Sequence, residues 1–270
     1  MVATSAVTVT DIFCGAGGFT TGAVAAGADV RFAANHWKRA IETHNSNYPN
    51  VDHFLADISL ANPRSFPRTT GLIASPECVN HTLAKGKQRK ALNQGKLFEG
   101  DPLPDEAEER SRCTMWDPLK LAEVHDYQFV VLENVVDVCY WSEWASWVQA
   151  WQKLDYVLQL VYLNSMFCHP TPQSRDRLYI VATKRKNRRP HLQITPRAYC
   201  QRCGGDVLAV QSWKDPLKRH GKYGKHGQYL YRCPQCAQVV QPYYYCAANA
   251  IDWSIPTTRI GDRQRPLEPK

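Results

Sequence analysis

Val7-Thr8-Val9-Thr10-Asp11-Ile12-Phe13-Cys14-Gly15-Ala16-Gly17-Gly18 is an alternating stretch that runs into a glycine-rich turn. The alternation predicts a strand over residues 7–13, and the small residues of 19–26 predict a helix behind it. Glycines at 15, 17 and 18 let the backbone turn tightly and approach a ligand. Their spacing is not that of the dinucleotide fingerprint.

Outward from this unit the pattern repeats. Strands are expected at 29–34, 53–56, 72–74, 129–132, 157–163 and 178–183. Helices are expected at 37–44, 115–124 and 141–154, the last carrying an aromatic stripe at 141, 144, 147 and 151 that reads as core packing. Strands alternating with helices specify an α/β, doubly wound, Rossmann-like sheet, mainly parallel. Ligands in such sheets bind beyond the C-terminal strand ends, where Gly15, Asp57, Cys78 and Glu133 fall. Residues 79–113 are polar and irregular and read as a mobile active-site loop.

The net charge of +8 is uneven: residues 1–183 balance to −4 and residues 184–270 to +12. A basic segment attached to a near-neutral domain calls for a polyanionic partner, most simply nucleic acid. No run reaches the roughly 18 apolar residues of a membrane span, and no signal peptide opens the chain. A cytoplasmic protein with no membrane partner is the expectation. The change of texture after Lys184–Pro190 suggests a catalytic domain over 1–189 and a second, basic unit over 190–270.

Cys78 stands in Ser75-Pro76-Glu77-Cys78, at the end of an apolar strand. A nucleophilic thiol needs thiolate character, which nearby cations such as Arg175 and Arg177 would supply. Glu133 ends another apolar strand, where a carboxylate can face the exocyclic amine and ring nitrogen of an aminopyrimidine. Arg175 and Arg177 alternate along an extended segment and are expected to share a face.

Together these strings, in this order over residues 7 to about 183, resemble the DNA cytosine-5 methyltransferase family. The resemblance implies S-adenosylmethionine as cofactor over the glycine turn, contacted by Asp11, Phe13, Gly15, Gly17, Gly18, Asn35, His36, Trp37, Asp57, Ile58 and Pro76. It implies a covalent Cys78 intermediate on a cytosine flipped from double-stranded DNA, assisted by Glu133 of Glu133-Asn134-Val135 and by Arg175 and Arg177 of Gln173-x-Arg175-x-Arg177. It also makes a cognate restriction enzyme a candidate partner and a prokaryotic or phage origin the expected setting.

The sequence departs from the family pattern in three places. Glu77 separates Pro76 from Cys78, and is expected to turn away from the thiol or pair with a cation. The second strand ends in Asn35-His36-Trp37 rather than in the usual ribose-binding acid. The C-terminal asparagine motif is not found. Two alternatives stay open: an RNA cytosine-5 methyltransferase, and a catalytically silent zinc-ribbon DNA-binding protein on the same scaffold.

Cys200-Gln201-Arg202-Cys203 and Cys233-Pro234-Gln235-Cys236 have the spacing of structural zinc knuckles. Cys200, Cys203, Cys233 and Cys236 are therefore expected to hold zinc and staple a small ribbon. Between the knuckles, lysines and histidines alternate with Trp213, Tyr223 and Tyr229, a composition suited to a phosphate backbone.

Overall fold

The computed structural model describes residues 7–77, 114–168, 171–218 and 220–256. Cys78 and the expected loop at 79–113 lie outside the described residues. The chain packs as two compact units. The first comprises the residues up to Leu163, Asp176–Ile194 and Gln211–Leu230; the second comprises Asn164–Arg175, Thr195–Val210 and the residues from Tyr231 onward. Among the described residues no helix is long and apolar enough to cross a membrane.

The first unit is built on a seven-stranded sheet: β1 Thr8–Ile12, β2 Asp29–Asn35, β3 Asp52–Leu55, β4 Gly71–Ala74, β5 Phe129–Asn134, β6 Tyr156–Asn164 and β7 Asp176–Lys184. The strand order is β3-β2-β1-β4-β5-β7-β6. The strands from β3 to β5 are parallel, and β7 runs antiparallel to β5. The expected doubly wound sheet is present. The residue ranges differ from the sequence reading by only a few positions, except that β7 already includes Arg177.

Central parallel strands are covered on both faces, which requires near-continuous apolar runs. Gly71, Leu72, Ile73 and Ala74 of β4 are all buried. Gly71 faces Phe129 of β5 in register. A Cβ at Gly71 would lie 2.3 Å from the Phe129 ring, so only glycine fits there.

Among the described residues four helices flank the sheet: α1 Gly18–Ala25, α2 Lys38–Asn47, α3 Asp117–His125 and α4 Trp144–Lys153. Half of the expected aromatic stripe turns fully inward, while Trp144 is half-buried and Trp141 precedes the helix. Trp147 and Trp151 are fully buried, and the Trp147 indole donates to the Met115 carbonyl at 2.7 Å.

In the second unit, β8 Arg197–Cys200 pairs antiparallel with β9 Gly205–Leu208. The strand β11 Tyr229–Arg232 carries Tyr231 and Arg232 into antiparallel pairing with β12 Val239–Val240. Each hairpin turn holds one Cys-x-x-Cys pair. Along the chain between them, β10 spans Val210–Trp213, of which all but Val210 belongs to the first unit.

Candidate active site

The chain runs from β1 outward to β2 and β3, then returns to add β4 and β5 on the other side. This reversal places a crevice at the C-terminal ends of β1 and β4. A cleft of about 310 Å³ lies there, lined by Gly15, Asn35, His36, Trp37, Arg39 and Glu77 among others.

The glycine turn shapes its floor. Gly15 and Gly17 both have positive φ, +54° and +97°. At Gly15 an added Cβ would meet nothing within 4 Å, leaving room against the backbone for a ligand. At Gly17 a Cβ would sit 2.7 Å from the Tyr48 ring, so glycine is needed twice over, for conformation and for space. Gly17 also caps α1, and Gly18 begins it.

A buried chain of polar groups braces this turn from beneath. Thr20 donates to Asp11 Oδ2 at 2.7 Å and contacts His44 Nε2 at 3.0 Å. His44 Nδ1 meets His53 Nε2 at 2.8 Å. The Thr20 hydroxyl has one proton; given to Asp11, it leaves the oxygen to accept from His44 Nε2–H. Neutral His44 then accepts at Nδ1 from His53. Burial pushes Asp11 up to about 7, against the lowering effect of the Thr20 bonds. Burial, with His53 alongside, drives His44 down to about 4. The Asp11 carboxylate thus supports the turn from below. Sequence reading singled out Asp11 but not Thr20, His44 or His53, which carry no local signal for meeting.

Asn35 is buried at the end of β2, and its Oδ1 accepts from the Trp37 N–H at 2.9 Å. Trp37 is 59% exposed and presents its ring beside the cleft. Asp57 closes its own turn, accepting at Oδ1 from the Ser59 N–H at 3.1 Å, and Ile58 is buried. Phe13 is buried with φ of 57°.

Pro76 is buried after β4. Asn134 Nδ2 reaches its carbonyl at 3.4 Å, tying the end of β5 to the segment that leads to Cys78. Thr114 donates to the Glu77 carbonyl at 3.2 Å. Glu77 Oε1 lies 3.8 Å from His36 Nε2.

Glu133 and Arg177 meet. The antiparallel pairing sets Glu133 opposite Tyr179 and Asn134 opposite Leu178, so the start of β7 lies at the end of β5. Arg177 Nε stands 2.6 Å from Glu133 Oε1, and both side chains are mostly covered. Arg177 also donates to the Asp176 carbonyl at 2.7 Å. Arg175 belongs to the second unit and is exposed. Its backbone is pinned by Asn164 Oδ1 and by the Ser165 N–H.

The four sulfurs of Cys200, Cys203, Cys233 and Cys236 lie within 4.8 Å of one another. Cys200 and Cys236 are 3.5 Å apart, Cys203 and Cys233 3.8 Å. A tetrahedron with Zn–S bonds of about 2.3 Å has edges of about 3.8 Å, so the cluster fits that ion. The turns that present it are made by Gly204 at φ +70° and by Ala237 at φ +59°.

Cations between the knuckles are partly spent inside the first unit. Lys222 pairs with Asp137 at 2.7 Å. Lys214 Nζ is surrounded by the carbonyls of Gly224, Lys225 and Gly227 at 2.6–2.8 Å. His220 bonds the Tyr162 hydroxyl. Lys218, Lys225 and His226 remain exposed.

A family model described as C-5 cytosine-specific DNA methylase matches residues 7–100 and 104–249. The type II methyltransferase M.MthTI of Methanothermobacter thermautotrophicus is 27% identical over 176 residues, covering 64% of this chain and 48% of that protein. The type II methyltransferase M.DdeI of Desulfomicrobium norvegicum is 23% identical over 186 residues, covering 65% and 40%. The chain spans about half the length of these relatives or less. Among solved structures, a DNA modification methyltransferase encoded within an E. coli prophage superposes with a TM-score of 0.53 at 18% identity, covering 81% of this chain and 62% of that one. The S. pombe Dnmt2 methyltransferase gives 0.52 at 18%, covering 69% and 52%. These two likenesses establish the fold.

Proposed function

This chain belongs to the C-5 cytosine-specific DNA methylase family, and from that premise we propose that it methylates carbon 5 of cytosine in duplex DNA. The observation that carries the reading is the Glu133–Arg177 pair at 2.6 Å, held on the same sheet edge as the glycine-floored cleft.

S-adenosylmethionine, bound over the turn, supplies the methyl group. The open space at Gly15 and the exposed Trp37 ring fit such a cofactor. Gly15, Gly17, Gly18 and Phe13 would shape its bed, with Asp11 bracing from beneath. Trp37 would pack on the adenine. Asn35, His36, Asp57, Ile58 and Pro76 complete the proposed wall.

The target base leaves the stack and enters the pocket. The Cys78 thiolate adds to ring carbon 6, and carbon 5 becomes nucleophilic. Glu133 stabilises the proton at ring nitrogen 3 while Arg177 holds the oxygen at ring position 2. After carbon 5 is methylated it loses its proton, the bond to Cys78 breaks, and the thiolate is restored.

We assign zinc to the four-cysteine cluster as a structural ion. Among its described residues the second unit has few large buried side chains, and a closed Cys₄ site would supply folding energy. Residues 190–270 would contribute target recognition, with Lys218, Lys225 and His226 among the exposed residues between the knuckles. The proposed setting is the cytoplasm of a prokaryote or phage-infected host.

Duplex DNA carrying 5-fluorocytosine tests the chemistry. In the presence of cofactor, a covalent adduct should form with the unchanged protein and not with Cys78→Ala. Parallel methyl-transfer assays on duplex DNA and tRNA should favour DNA. Absence of adduct despite cofactor binding would make the chain a silent scaffold, and transfer to tRNA alone would make it an RNA enzyme.

A further inference from the structure

Among the described residues the cleft over the glycine turn is lined by a single acidic residue, Glu77, and it arrives from β4 rather than β2. In many doubly wound sheets the acid that holds a ribose stands at the tip of β2. Here β2 ends in Asn35-His36-Trp37, and Asn35 Oδ1 is occupied by the Trp37 N–H. Among the described residues no carboxylate lines the cleft from that side.

β2 and β4 flank β1 on opposite sides, with Ile12 in register with Ala34 and with Ala74. A side chain leaving β4 therefore reaches the same space that an acid on β2 would serve. The backbone at Glu77 is secured by the Thr114 hydroxyl at its carbonyl and by Asn134 at the preceding one. The side chain is about half exposed, opens on the cleft, and faces His36 Nε2 at 3.8 Å.

We propose that Glu77 is the ribose-binding acid of this protein, with His36 positioning its carboxylate. This rests on the reading of the cleft as a nucleoside cofactor site. Two vicinal hydroxyls donating to two carboxylate oxygens form a matched pair of charge-assisted hydrogen bonds. The carboxylate has moved across the switch point, from the strand that usually carries it to the one that precedes the nucleophile.

Calorimetric binding tests this without turnover, on the full chain and Glu77→Gln. The ligands are S-adenosylhomocysteine, its 2′,3′-dideoxyribose analogue and S-adenosylmethionine. Glu77→Gln should weaken both ribose-bearing ligands about tenfold, as loss of a charge-assisted bond implies. The dideoxy analogue should bind the two proteins alike. Thermal melting serves as the folding control, and Glu77→Asp, which keeps the charge, is read in place of Glu77→Gln if the latter melts early; its shorter reach should again cost only the ribose-bearing ligands.

An equal loss on all three ligands, or no loss on any, overturns the proposal. A loss confined to S-adenosylmethionine would instead assign Glu77 to the sulfonium charge and overturn it too. If the unchanged protein binds none of them, the cofactor reading itself fails, and this inference with it.

Discussion

Arg177 reaches across the antiparallel β5–β7 pair to place its Nε 2.6 Å from Glu133 Oε1. The two residues are 44 positions apart, and the reversed direction of β7 is what brings them together. Both side chains are mostly covered, and Arg177 also donates to the Asp176 carbonyl, so the pair sits in a shielded, hydrogen-bonded setting. A base entering between them would exchange that pairing for contacts of its own.

Glu133→Gln keeps the shape and removes the charge. Methyl transfer in a single turnover should fall by about 10²–10⁴, the range for a positioned acid–base group. Duplex affinity, followed by fluorescence anisotropy, should stay close to that of the unchanged protein. Equal transfer rates in the two proteins would remove Glu133 from the chemistry.

Gly71→Ala should destabilise the first unit, because its Cβ would stand 2.3 Å from the Phe129 ring. Overpacking of this kind costs about 1–3 kcal/mol. Urea unfolding measures it, and adding Phe129→Leu should recover part of the loss. A single substitution without effect would mean that the strands separate more easily than their register suggests.

Stability against pH should reveal the braced turn. Asp11 rises from 3.8 to about 7 on folding, so the folded state holds a proton that the unfolded chain has lost. Its contribution is present below pH 3.8 and is lost as pH climbs toward about 7. His44 falls from 6.5 to about 4, so its contribution is present above pH 6.5 and is lost as pH drops toward about 4. The two slopes oppose each other. Asp11→Asn should leave stability rising with pH between about 4 and 6.5, whereas His44→Gln should tilt it the other way. Urea midpoints across that range would show it; parallel profiles for the two variants would contradict the assignment.

Zinc content and its removal test the second unit. The purified protein should carry a single zinc, and Cys203→Ser or a strong chelator should release it and melt the ribbon. Duplex binding should weaken with it. An unchanged melting profile and unchanged affinity after chelation would argue against a structural ion.

Much of this was legible in residue order. Periodicity placed the strands from 7–13 to 129–132, because buried parallel strands must be short apolar runs. The cysteine spacing announced the four-sulfur cluster, since a Cys-x-x-Cys turn presents both sulfurs to one point. The stripe of tryptophans on α4 was likewise a local property, decided by the 3.6-residue turn of a helix.

Partnerships between distant residues were a different matter. The motif Gln173-x-Arg175-x-Arg177 reads as one unit along the chain, yet the fold assigns Arg175 and Arg177 to different compact units. Lys214 and Lys222 read as phosphate contacts, and packing commits them to carbonyls and to Asp137. Glu77 read as an intruder beside the nucleophile, and the structure turns it toward His36 and the cleft. The sequence by itself determined the elements, the order of the motifs and the cysteine-bearing turns, because these depend on neighbours within one turn or one strand. Only the tertiary structure decided which charges meet, because that depends on strand order and direction, which bring together side chains far apart in the chain.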